Sequence, residues 1–97
     1  MYYGIVINFK EGYAMNMKEK NKKIVQEIRK EIKNQGLSDS LDVYPVENTF
    51  TRRPRYWTDG DIHLFKVHMW NLNKMDTDEL TDEIKNRIDQ AKGYFKL

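Results

Sequence analysis

Three of the chain's five arginines sit together in Arg52-Arg53-Pro54-Arg55. Phe50 comes shortly before this run, and Tyr56 and Trp57 follow it directly. A guanidinium carries a planar fork of donors that matches phosphate or carboxylate oxygens, and it also stacks on aromatic rings. Neighbouring aromatics can stack nucleobases. Pro54 stiffens the segment, so less entropy is lost on ordering it. Arg52, Arg53, Arg55, Tyr56 and Trp57 are therefore the candidate nucleic-acid-binding residues, with RNA or single-stranded DNA as the expected ligand. The same arginines would also suit an acidic protein partner, or exposed ion pairs to Asp59, Asp61 or Glu47 worth about 0–1 kcal/mol.

Other chemistry finds less support. His63 and His68 lie an odd number of residues apart on one strand candidate, so they face opposite ways and cannot share a metal. Asp61 and His63 share a face, and Tyr94 follows later in the chain. That layout resembles the His-hydrophobic-His strand and helical tyrosine of some rolling-circle and transposition endonucleases, with Asp61 where they have histidine. A metal-dependent nuclease is thus the alternative activity. Small ferredoxin-like ribonucleases carry an aspartate at the end of the first strand, where this chain has Asn8, a poor metal ligand. Asp76, Asp78, Glu79, Asp82 and Glu83 cluster where a helix begins, which the helix dipole favours without any ligand. There is no cysteine, which excludes disulfides, thiolate zinc sites and cysteine nucleophiles. Gly12 alone makes no phosphate loop. Neither Ser38 nor Ser40 belongs to a plausible Ser-His-Asp set. No catalytic residue, metal or cofactor is expected; the chain reads as a non-enzymatic binding module.

The elements that must position these residues are legible from periodicity. Residues 2–9 (YYGIVINF) are β-branched and aromatic and predict a first strand. Asn16 with Glu19 predicts a helix start, and Ile24, Val25, Ile28 and Ile32 mark its buried stripe before a stop at Gly36. Residues 41–46 (LDVYPV) predict a strand at a sheet edge, because Pro45 cannot donate a ladder bond. A short strand over 55–58 can hairpin through Asp59-Gly60 onto the longest strand candidate, residues 61–71. Asp76 with Glu79 predicts a second helix, with Met75 stapling on Leu80. Leu80, Ile84, Ile88 and Ala91 form its stripe, Gly93 its end, and residues 94–97 a tail or last strand.

This order predicts an α+β two-layer sandwich, ferredoxin-like β-α-β-β-α(-β), with two helices on one face of an antiparallel sheet. Ninety-seven residues make one domain, 1–97. Phe65, Val67 and Met69 should face the helices. Tyr2, Val6, Asn8, Leu64, Lys66, His68 and Trp70 should then face the other way. An apolar patch of that kind marks an interface, so Tyr2, Val6, Leu64, His68 and Trp70 are the candidate interface residues, with a homodimer as the expected occupant. The strand HLFKVHMW lacks both glycines of the RNA-recognition-motif signature, and only the layout corresponds. Protein–protein interaction through this face, as a small regulator or inhibitor of phage or mobile-element type, is the second functional expectation.

Composition sets the remaining bounds. Hydrophobic residues make up 39% and charged residues 33%, with a net charge of only +2, which argues for a folded chain. No apolar run suits a membrane helix or a secretory leader, so a cytoplasmic protein without membrane contact is expected. Charge is unevenly spread: net +4 over residues 1–36, −3 over 37–50, +3 over 51–75 and −2 over 76–97. Lys18, Lys20, Lys22 and Lys23 crowd the start of a helix, where the dipole favours anions instead. These lysines could extend the positive field of the arginine run.

Overall fold

The computed structural model describes residues 16–47 and 55–97. The first-strand expectation at residues 2–9, with Tyr2, Val6 and Asn8, lies outside the described residues, as do Arg52 and Arg53. Asn16 caps α1 (Met17–Asn34) by accepting the Glu19 backbone N–H at 2.9 Å, which satisfies one donor that the first turn leaves unpaired. Asn21, Ile24, Ile28 and Ile32 recur at helical spacing and are buried. The helix closes in a Schellman motif. Gly36, at φ +75°, donates to the Lys33 carbonyl, and Leu37 donates to the Ile32 carbonyl. Leu37 packs on the core as it leaves the cap.

Three strands follow: β1 (Leu41–Val46), β2 (Tyr56–Asp59) and β3 (Ile62–His68), in the order β1-β3-β2. β2 and β3 form an antiparallel hairpin in which Asp59 pairs with Ile62. Gly60 and Asp61 are therefore the central turn residues, in place of the expected Asp59-Gly60. Gly60 has φ +63° and Asp61 has negative φ, the sign pattern of a type II′ turn. On the other side of β3, β1 runs parallel, from Leu41 opposite His63 to Val46 opposite His68.

The chain is an α+β domain, but its sheet is mixed where an antiparallel one was expected. A ferredoxin-like sheet pairs its second and third strands antiparallel, whereas here residues 41–46 and 62–68 run parallel. The hairpin explains the difference. β2 takes the antiparallel place beside β3 and carries the chain back to the end of the sheet where β1 starts, so β3 can run parallel to β1. β1 lies at an edge among the described strands, where Pro45 is tolerated.

Leu41, Val43, Phe65 and Val67 point to one side and meet Ile24, Ile28, Ile32, Ile84, Ile88 and Ala91 from the helices. Strand β3 stops at His68, short of the expected span. Met69 and Leu72 explain why. A strand would send residues three apart to opposite faces, whereas the helical turn α2 (Met69–Leu72) buries both, at 0% and 1% exposure. Asp76 then opens α3 (Thr77–Phe95) with a complete capping box to Glu79. Met75 and Leu80 both pack on the core, as a hydrophobic staple would. The helix runs past Gly93 to Phe95 and ends where Lys96 adopts φ 59°, so residues 94–97 form no strand. Phe95 stays in phase with Ile84, Ile88 and Ala91, and its packing on the core offsets the cost of a glycine inside the helix.

Truncating Ile28 or Ile84 to Ala should cost about 2–5 kcal/mol. The Lys30→Ala and Lys85→Ala changes on the exposed faces should stay within about 0.5 kcal/mol. Urea denaturation reads both, and equal costs would mean that the helix faces are misassigned.

Two glycines should respond with opposite signs. A Cβ at Gly93 meets nothing within 4 Å, so Gly93→Ala should stabilise the fold by about 0.5–1 kcal/mol. Gly36→Ala also finds open space, but at φ +75° it should destabilise by about 1–2 kcal/mol. Thermal melts of the two variants shifting in the same direction would contradict this account of the caps.

Candidate nucleic-acid interface

Strand alternation and register put Asp42, Tyr44 and Val46 of β1 on the sheet face turned away from the core side chains. Leu64, Lys66 and His68 of β3 and Trp57 of β2 share that face. The Tyr44 and Trp57 rings reach across β3 and meet edge to face, with centroids 5.3 Å apart and planes at 70°, a favoured aromatic geometry. Tyr44 is 50% exposed. The guanidinium carbon of Arg55 lies 5.2 Å from the centre of the Trp57 ring, within cation–π range. Arg55 is exposed and makes no ion pair among the described residues. Of the acidic groups on this face, Asp42 is engaged by Arg29 of α1 at 3.0 Å, and Asp59 is exposed at the turn.

The arginine–aromatic set read from the sequence therefore divides. Arg55 and Trp57 stand together on the outer face. Tyr56, one residue out of phase, turns to the helix side, where it stacks on Tyr94 at 4.5 Å with planes 18° apart and meets Phe95 edge-on. The interface set divides as well. Leu64 and His68 stay in β3, but His68 is buried at 6% exposure and offers little surface to a partner, whereas Trp70 belongs to α2, 51% exposed with the Lys74 ammonium 3.3 Å above its ring. A strand was expected to carry Trp70 onto the sheet face; the helical turn that buries Met69 and Leu72 removes it. Tyr44 was missed, although its alternation with Leu41 and Val43 could have placed it there.

His63 has Nδ1 3.0 Å from the Ser40 carbonyl oxygen and its ring 4.5 Å from that of Phe95. Asp61 is exposed in the hairpin turn and Tyr94 is stacked on Tyr56. Among the described residues no group of three or more His, Cys, Asp or Glu side chains could hold a metal ion. No helix among them is long and apolar enough to cross a membrane.

A second surface lies where β1 and β3 end. Asn73 Nδ2 donates to Asn21 Oδ1 at 3.1 Å, and Asn21 Nδ2 donates to Glu47 Oε1 at 3.3 Å. Both asparagines are buried, at 6% and 4% exposure. They line a pocket of about 390 Å³, with Lys18 and Met17 from the start of α1, Glu47, Trp70 and Lys74 as the other walls. The sequence carried one signal for it: Asn21 keeps the phase of the Ile24–Ile28–Ile32 stripe, the wrong place for a polar residue unless it has a partner.

Removing one partner of the buried pair should expose its value. Asn73→Ala strands Asn21 Oδ1 and should cost about 1–3 kcal/mol. In a double-mutant cycle by urea denaturation, Asn21→Ala combined with Asn73→Ala should cost less than the sum of the single changes; strict additivity would mean that the two amides are not coupled.

Comparison of the chain with protein-family models, with curated proteins and with solved structures gives no match.

Proposed function

We propose that the chain is a non-enzymatic module that binds single-stranded nucleic acid, RNA or DNA, on the sheet face carrying Tyr44, Arg55, Trp57 and Lys66. One observation carries this reading: a guanidinium held 5.2 Å over an indole that itself abuts an exposed tyrosine. Flat rings stack bases without regard to sequence, and adjacent cations follow the phosphates. Strands are well suited to this task because alternation presents every second side chain at a fixed spacing. Arg52 and Arg53, separated from Arg55 by Pro54 in the sequence, would add two further cations for the same strand. The rival occupant is an acidic protein surface or a second copy of the chain, and the salt dependence of binding separates them.

Titration of labelled single-stranded oligonucleotides at several salt concentrations tests the proposal. Each phosphate contact on a single strand contributes about −0.7 to the slope of log K against log salt. Changing Arg52, Arg53 and Arg55 together to Ala should therefore flatten the slope by about 2 units. Trp57→Ala should cost about 1–3 kcal/mol of affinity and leave the slope nearly intact. If no oligonucleotide binds more tightly than about 10⁻⁴ M at low salt, the reading fails and the protein-docking alternative takes its place.

A further inference from the structure

We propose that the pocket at the carboxyl ends of β1 and β3 binds a guanine base, presented either by a free nucleotide or by a single strand. The site is separate from the sheet face and does not require it. In sheets with parallel strands, ligands favour the crevice beyond the strands' carboxyl ends. Here Glu47 follows β1, Trp70 and Asn73 follow β3, and Lys18 comes from the first turn of α1.

The charges select the ligand. Two lysines, Lys18 and Lys74, disfavour a cation, and the Glu47 carboxylate disfavours a simple anion. What fits is a flat group with neutral N–H donors at one edge and negative charge at the other end. Glu47 offers an acceptor-only pair of oxygens. Its Oε1 is held by Asn21 Nδ2, and the Asn21 amide is oriented in turn by Asn73. Oε2 accepts no hydrogen bond among the described residues. Among the four bases, only guanine carries two adjacent N–H donors, N1–H and the 2-amino group, on its Watson–Crick edge, the edge by which unstacked bases are read. Trp70 supplies a flat indole wall, and the Lys74 ammonium 3.3 Å from its ring joins Lys18 in offering positive charge to a phosphate.

The test is titration of the full chain with GMP, IMP and AMP, followed by tryptophan fluorescence and equilibrium dialysis, alongside short single strands with and without guanine. GMP should bind at least tenfold more tightly than AMP and several-fold more tightly than IMP, which lacks the 2-amino group. Glu47→Gln keeps an oxygen for Asn21 but puts a donor against the base edge, so it should erase the preference for GMP. The IMP comparison asks the same question of the unaltered protein, should that variant lose its fold. Trp57→Ala should leave the preference for GMP over AMP unchanged. Equal binding of GMP and AMP, no binding of GMP, or a preference that survives Glu47→Gln would overturn the inference. Strand binding that depends on Trp57 but shows no guanine preference would overturn it and leave the sheet-face reading standing. GMP binding without strand binding would do the reverse and identify a free nucleotide as the source.

Discussion

The parallel ladder between β1 and β3 is the constraint from which the other features follow. Parallel neighbours cannot be joined by a tight turn, so the chain leaves Val46, forms β2 and re-enters at Ile62. Val43 opposite Phe65 and Pro45 opposite Val67 fix the register. A slip of one residue would turn Asp42 and Tyr44 into the helices and Val43 out of the core. The ladder also makes the two strands finish together, at Val46 and His68. Glu47 and α2 therefore emerge side by side, next to the first turns of α1, and the pocket there is a consequence of topology.

The sheet separates two kinds of chemistry. On the helix side, twelve buried hydrophobic residues among those described form one continuous core, and burying each large side chain contributes about 1.5–3 kcal/mol. Polar links between the layers add little. The Arg29–Asp42 pair leaves both side chains 54% and 41% exposed, where such pairs are worth about 0–1 kcal/mol. The outer face contributes less to this core, and there Trp57 meets both Tyr44 and Arg55. Substitutions there should have little effect on folding, because the register that positions the rings is fixed from the opposite side.

Helices and strands were legible where burial has a period. The isoleucine stripe of α1, the capping box at Asp76 and the alternation of Phe65 and Val67 each point to a single answer. Pairing direction was not legible, because nothing local in residues 41–46 distinguishes a parallel from an antiparallel neighbour; the antiparallel return through β2 decides it. The ends of elements were misjudged where one residue was weighed against a pattern. Gly93 suggested a stop, but Phe95 continues the stripe of α3. Trp70 suggested more strand, but Met69 and Leu72 are spaced for a helical turn. The candidate site divided for a related reason: Tyr56 and Trp57 are neighbours in sequence, and in a strand that puts them on opposite faces.

The buried asparagine pair is hard to explain by stability alone. Isoleucine at position 21 would extend the stripe of α1, and an apolar partner at 73 would leave no polar group to satisfy. Instead the pair is incompletely satisfied: Asn73 Oδ1 is buried with no hydrogen-bond partner among the described residues, a deficit of about 1–3 kcal/mol. The arrangement supplies direction in return. Because Asn73 donates to Asn21 Oδ1, the Asn21 amide must present its N–H groups to Glu47, which fixes a carboxylate at the mouth of a pocket. Polar groups held by a second layer of hydrogen bonds are how proteins hold a binding group in place. The stability lost at this one position is consistent with a side chain retained for where it holds its neighbour.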